Sequence, residues 1–141
     1  MNITRRHTSI ADERGQTATE LALVLPVFCF LLFGIIQFGI LFKDYVTLTD
    51  AVRAGARTAA VSRLEDPDER TGVVDAAVRR SASGLDQPCD GDEGLCVSVT
   101  APEWERGTDV TVEAKYPYEI NLLGFVAAEG FLTSATTERV E

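Results

Sequence analysis

The chain has 141 residues and carries 22 acidic against 13 basic side chains, a net charge of −9. That length allows one small domain plus an anchor, and not two folded domains. So acidic a chain is a poor partner for DNA or RNA, whose binding draws most of its affinity from phosphates neutralised by Lys and Arg, so no nucleic acid is expected as a partner.

In chain order, residues 1–15 form a polar leader, MNITRRHTSIADERG, with no periodic apolar face. From Leu21 to Phe42 there is no charge at all: LALVLPVFCFLLFGIIQFGILF. At about 1.5 Å per residue, a helix of this length crosses a ~30 Å hydrocarbon core. A cleaved secretory signal has a shorter apolar core, about 7–15 residues, followed by a small-residue cleavage site. No A-x-A site follows Phe42; Lys43, Asp44 and Tyr45 form an interfacial edge instead. Arg5, Arg6 and Arg14 precede the span, with His7 as a further partial charge. By the positive-inside rule the expectation is a single-pass cell membrane protein, N-terminus cytoplasmic and C-terminal domain outside, with membrane lipid as a partner.

Past Phe42, good helix formers continue to Arg63, so one long helix over residues 16–63 is predicted. Pro26 is expected to kink it or loosen one turn. In its outer half Ala51, Gly55 and Ala59 recur at four-residue spacing, a stripe of small side chains that lets another backbone approach closely. That stripe suits a helix–helix contact between subunits, or contact with the chain's own sheet.

A break follows, then a second helix. Asp66 suits an N-cap, Pro67 the first helical position and Glu69 the third, as in a capping box. Val74, Ala77, Val78 and Ser81 give its inward face; it is expected to run to about Ser83 and stop at Gly84. Residues 85–95 read as a loop. Cys89 and Cys96 flank most of it, and outside the cytoplasm a disulfide persists; free thiols or a metal pair are the alternatives, though no further Cys or His completes a zinc set there. Cys29, in the span, is a small apolar residue.

Strand signals come next. Val97, Val99 and Ala101 alternate with Ser98 and Thr100; Val110, Val112, Ala114 and Tyr116 alternate with Asp109, Thr111, Glu113 and Lys115. Pro117 is expected to end that pairing or put it on an edge. Ile120 to Ala128 reads as a short helix or a loop lying on the sheet or near the membrane, and Phe131 to Val140 as a third strand. The predicted fold class is α+β: a long N-terminal transmembrane helix continuing into a small domain with a second helix and a short antiparallel sheet. The predicted division is a leader (1–15), a long helix (16–63, span 21–42) and a small extracytoplasmic domain (64–141).

The most informative stretch is Arg14-Gly15-Gln16-Thr17-Ala18-Thr19-Glu20-Leu21, running into the apolar span. A basic leader ends in Gly15, and Glu20 is the fifth residue beyond it. This resembles the processing signal of type IV prepilins. The longer run, RGQTATELALVLPVF through FGILFKDYVTLTDAVRAGARTAAV, resembles the TadE-like family of tight-adherence pilus proteins, whose pattern is G-Q-x-x-x-E-F-A-L-V-L-P followed by A-x-R-x-G-A-R-x-A-A. Leu21 stands where the family has an aromatic residue.

The resemblance covers residues 14–63; beyond them only the general shape agrees. It implies that residues 1–15 are a prepilin-type leader and that a prepilin peptidase cuts between Gly15 and Gln16. It further implies that Glu20 pairs with a cleaved N-terminal amine, commonly a neighbour's, and that the partners are other pilin-like subunits and the pilus assembly platform. A lone carboxylate at a membrane edge otherwise stays near water.

No enzyme is expected, and no cofactor. The single His is His7, in the leader. No nucleophile elbow, phosphate-binding Gly loop or metalloprotease helix is present. Asp86, Asp90, Asp92 and Glu93 do not have the spacing of a calcium loop and read as a solvated acidic turn, so no metal is expected. Two functions follow: a pilin-like minor subunit or assembly component, or an uncleaved signal-anchored envelope protein with an extracytoplasmic binding domain.

Overall fold

The computed structural model describes residues 10–62, 66, 69–85, 87–91, 93–122 and 124–141. Helix α1 spans Ile10–Val61, 52 residues, and passes through Pro26 uninterrupted. At Pro26 it forgoes the bond an N–H would make to the Ala22 carbonyl. It already includes Ile10, the first residue described, ahead of the expected Gln16: Ala, Glu and Arg in the leader are good helix formers, and extending an existing helix is far easier than starting one.

The two halves of α1 live in different surroundings. Its inner part contains a stretch of mean hydropathy 2.6 with no residue buried, long and apolar enough to cross a membrane. Its outer half buries Leu48, Ala51, Val52, Ala56 and Ala59 completely. Those positions recur every three or four residues, which on a helix is one face.

That face is covered by helix α2 (Arg70–Ser81) and by a sheet of three antiparallel strands, β1 (Cys96–Thr100), β2 (Asp109–Leu122) and β3 (Phe125–Arg139), in spatial order β1-β2-β3. Leu48 and Val52 join Val74 and Val78 of α2, Val110 and Val112 of β2, and Leu85, Leu95 and Val140 in one core. The packed unit therefore takes in the outer half of α1 as well as the residues after it. The fold is the expected α+β arrangement.

Helix α2 differs in detail from its sequence signals. Glu69 is its N-cap residue, in a helical conformation with no side-chain capping bond. Pro67 lies outside the described residues. The Asp66 carbonyl accepts from the N–H groups of Glu69 and Arg70, at 2.9 and 3.1 Å, so Asp66 opens the turn through its backbone. At the far end Ser81 is exposed and Ala82 is buried in its place, one turn beyond Val78. The Ala82 N–H closes the helix on the Val78 carbonyl, and Gly84 follows at φ 90°.

The sheet corrects the sequence reading in one region. β2 does not stop at Pro117, which lies opposite Phe131. β1 reaches β2 only as far as the Cys96–Lys115 pair, so beyond it one side of β2 has no neighbouring strand among the described residues and tolerates a residue without an N–H. Ile120 to Ala128 is therefore neither a helix nor a loop but the far end of a long β2–β3 hairpin, with Ile120 opposite Ala128 and Leu122 opposite Phe125. Asn121 Oδ1 accepts from the Gly124 N–H at 2.9 Å and holds the turn. A register shift between Ile120 and Asn121 breaks the period-two pattern there, which is why the run lacked a strand signature.

The C-terminal end of α1 is satisfied from far along the chain. The last carbonyls of any helix lack intrahelical donors. Here Trp104 Nε1 donates to the Ala59 carbonyl and the Glu141 N–H donates to that of Ala60, each at 3.0 Å. The Arg70 guanidinium lies 5.8 Å from the centre of the Trp104 ring, so one aromatic residue ties the β1–β2 turn to both helices.

Candidate functional site

Gly15, Gln16 and Glu20 occupy successive turns of α1 just ahead of the apolar span, all exposed. Gln16 Nε2 donates to Glu20 Oε1 at 3.3 Å. This is an i,i+4 pair, which places the two side chains on one face of the helix. Thr19 Oγ1 donates to the Gly15 carbonyl at 2.8 Å. A Cβ added at Gly15 would meet nothing within 4 Å, so no packing explains the glycine. Its effect there is conformational: Gly holds a helix about 1 kcal/mol less firmly than Ala, so the helix is easier to unwind at the Gly15–Gln16 bond than an Ala there would leave it.

The small-residue stripe is placed differently from the site expected for a partner. Ala51 and Ala59 are fully buried inside the chain. A Cβ on Gly55 would collide with Val78 Cγ2 and would lie 3.5 Å from Val112 Cγ1 and 3.7 Å from Val74 Cγ1. The close approach is made to α2 and β2 of the same molecule, which leaves no room for a neighbouring helix on Ala51, Gly55 or Ala59. Periodicity finds the contact face; it does not say whose backbone covers it.

Cys89 and Cys96 are disulfide-bonded, with their Cα atoms 4.8 Å apart. Within the loop, Asp90 and Glu93 exchange backbone hydrogen bonds, each at 3.0 Å, and the Leu95 N–H donates to the Gln87 carbonyl at 2.9 Å. Gly94 has φ 76°, and a Cβ there would run into the Pro88 carbonyl, so only glycine fits. The buried side chains of Leu85 and Leu95 fasten the loop to the core. Of the acidic residues, Asp90 and Glu93 are exposed; Asp86 and Asp92 lie outside the described residues. Closing a loop this short is worth about 2.5 kcal/mol by chain entropy. Peptide mapping without reductant should find Cys89 and Cys96 linked, and a Cys89→Ser/Cys96→Ser chain should be less stable by that amount, a melting temperature lower by roughly 10–20 °C; two freely alkylated thiols in the purified protein would contradict the pairing.

One contact ties the apolar span to the far end of the chain. Gln37, the only amide in the apolar span, donates through Nε2 to the Asn121 carbonyl at 3.1 Å. An amide within an uncharged span was the available signal, because a polar group there needs a partner. Its partner lies in the hairpin tip, which the sequence did not reveal as a strand. Cys29 is the one free cysteine among the described residues and is half-buried.

Compared with known proteins, residues 15–57 match the family model described as TadE-like protein. The match begins at Gly15, covers the apolar span and reaches Ala51 and Gly55 of the stripe but not Ala59, so it falls within the residues 14–63 of the resemblance. No curated protein and no solved structure matches the chain.

Proposed function

We propose, on the premise that residues 15–57 form a TadE-like segment, that the chain is a pilin-like minor subunit or assembly component of a tight-adherence pilus. Its role is structural, without catalysis. It is anchored by α1 with residues 1–15 on the cytoplasmic side and the α+β unit outside, and it works with a prepilin peptidase, the assembly platform and other pilin-like subunits. The observation that carries this reading is the placement of Gly15, Gln16 and Glu20: an unpacked glycine, then an acid one turn further on, directly ahead of an unburied apolar helix.

Processing at this position has a physical rationale. A peptidase needs an extended backbone, whereas the Gly15 carbonyl accepts the Thr19 hydroxyl within a helix. Glycine lowers the cost of unwinding and presents no side chain to the enzyme. In cells with an active prepilin peptidase, the mature protein should begin at Gln16, and Gly15→Leu should keep the leader attached. N-terminal sequencing of membrane-extracted protein checks both. A parent chain that still begins at Met1 would defeat the pilin reading and leave a permanently anchored envelope protein.

A further inference from the structure

We propose that the tip of the β2–β3 hairpin is a second membrane contact, seated in the lipid interface on the outer side, beside α1. The inference rests on reading α1 as a membrane-spanning helix and goes beyond it, because that reading needs only one element in the lipid.

The depth of the tip follows from two contacts. Gly55 of α1 faces Val112 of β2, and Gln37 of α1 holds the carbonyl of Asn121. From Gly55 to Gln37 the helix axis falls about 27 Å, and from Val112 to Asn121 an extended strand covers about 30 Å. β2 therefore runs back along α1 towards the membrane, nearly parallel to the helix axis. Its end passes Lys43 and arrives level with Gln37, about 9 Å further in along the helix. Interfacial elements bury their apolar side chains to about 5–10 Å below the headgroups.

The chemistry changes at the same level. Glu119 and Glu129 lie opposite one another, and between them the chain carries no charge. Hairpin ends in water are normally polar, yet Phe125 and Val126 at this end are 75% and 52% exposed. Just above the tip, Tyr116 and Tyr118 line a cleft against Leu41 and Asp44 of α1. Tyr at that height, with Lys43 nearby, is the composition of a membrane–water boundary. The outer edges of a two-stranded ribbon carry unpaired N–H and C=O groups, which hydrocarbon does not tolerate. The tip accordingly stops at the boundary of headgroups and acyl chains, where water and headgroup oxygens satisfy those edges. Two contacts in place of one fix the domain's tilt and rotation on the membrane.

The test uses the full chain with Cys29→Ala, reconstituted into phosphatidylethanolamine/phosphatidylglycerol vesicles. An environment-sensitive NBD label is placed in turn at Phe125→Cys, at Ile35→Cys in the span, and at Glu105→Cys in the β1–β2 turn. The Phe125 side chain is outside the core, so labelling it leaves the fold intact. The label at 125 should emit to the blue of the label at 105. It should be quenched by lipid spin-labelled near the headgroup and resist aqueous iodide, at any protein-to-lipid ratio. A label at 125 as open to iodide as that at 105, while the one at 35 is quenched by lipid, overturns the tip contact and leaves the anchor standing. A label at 35 that iodide also reaches overturns both. Protection at 125 that vanishes on dilution with lipid overturns the proposal by assigning the tip's cover to a second copy of the chain.

Discussion

Gly55→Leu should yield a chain that enters the membrane normally but cannot hold its domain together. The apolar span is untouched by the change, so insertion should be unaltered. In the core, a Cβ at this position already collides with Val78 Cγ2, and the rest of a Leu side chain has to pass between Val74 and Val112. Adding methylenes to a packed core commonly costs about 1–3 kcal/mol, and a branched side chain where backbone nearly touches a neighbour belongs at the upper end or beyond. A small domain has about 5–15 kcal/mol in total. Each kcal/mol lowers the melting temperature of such a domain by roughly 4–8 °C. The expected result is a melting point lower by at least about 12 °C in detergent, with carbonate-resistant membrane association retained. Pairing Gly55→Ala with Val78→Ala should recover much of what Gly55→Ala alone loses, because the second change removes the methyl that the first one strikes. Gly72→Ala is the control: an added Cβ there meets nothing within 4 Å, so better helix propensity should leave stability equal or slightly raised. A Gly55→Leu chain that melts like its parent but loses its partners would return the stripe to a role between subunits.

Glu20→Ala should separate processing from assembly. Glu20 lies beyond the proposed scissile bond and, among the described residues, bonds only the Gln16 amide, so cleavage at Gly15 should proceed almost as in the parent. A cut at Gly15 would give residue 16 a free amine, the proposed partner of a Glu20 carboxylate on the same helix or on a neighbour's. In water such a pair contributes little. Within a packed fibre at the membrane edge, removing one member strands the other charge, a loss of about 3–5 kcal/mol. Since about 1.4 kcal/mol is a factor of ten, incorporation should fall by two orders of magnitude or more. Glu20→Asp should recover part of it. Fractionation of cells into membrane and sheared surface structures, with the N-terminus sequenced in each fraction, reads both halves. Full incorporation of Glu20→Ala into surface structures would reduce Glu20 to a flanking charge.

The hairpin shows where reading the sequence stopped. Its paired strands alternate clearly from Asp109 to Tyr116 and from Phe131 onward, and both stretches were legible. The segment between them was not, because a proline, a register shift and an uninterrupted apolar run erase the period of two. What holds that segment as a hairpin is pairing across the turn and the contact of Asn121 with Gln37, between residues far apart in the chain.

The sequence by itself determined what depends on local composition and spacing. An uncharged run long enough to cross a bilayer, the resemblance that starts at Gly15, the helical faces, and the Cys89–Cys96 pair are all set by neighbouring residues. Hydrophobic length, 3.6-residue periodicity and compartment chemistry act over short stretches. Only the tertiary structure decided which surfaces meet. It turned the Ala51–Gly55–Ala59 stripe onto Val74, Val78 and Val112 of the same chain, closed the end of α1 with Trp104 and Glu141, and carried the tip of the hairpin down to Gln37. The reason is that a small-residue face, an orphan carbonyl and a lone amide each state a need without naming what meets it; the partner is fixed only when the whole chain finds the arrangement that leaves the fewest of those needs unmet.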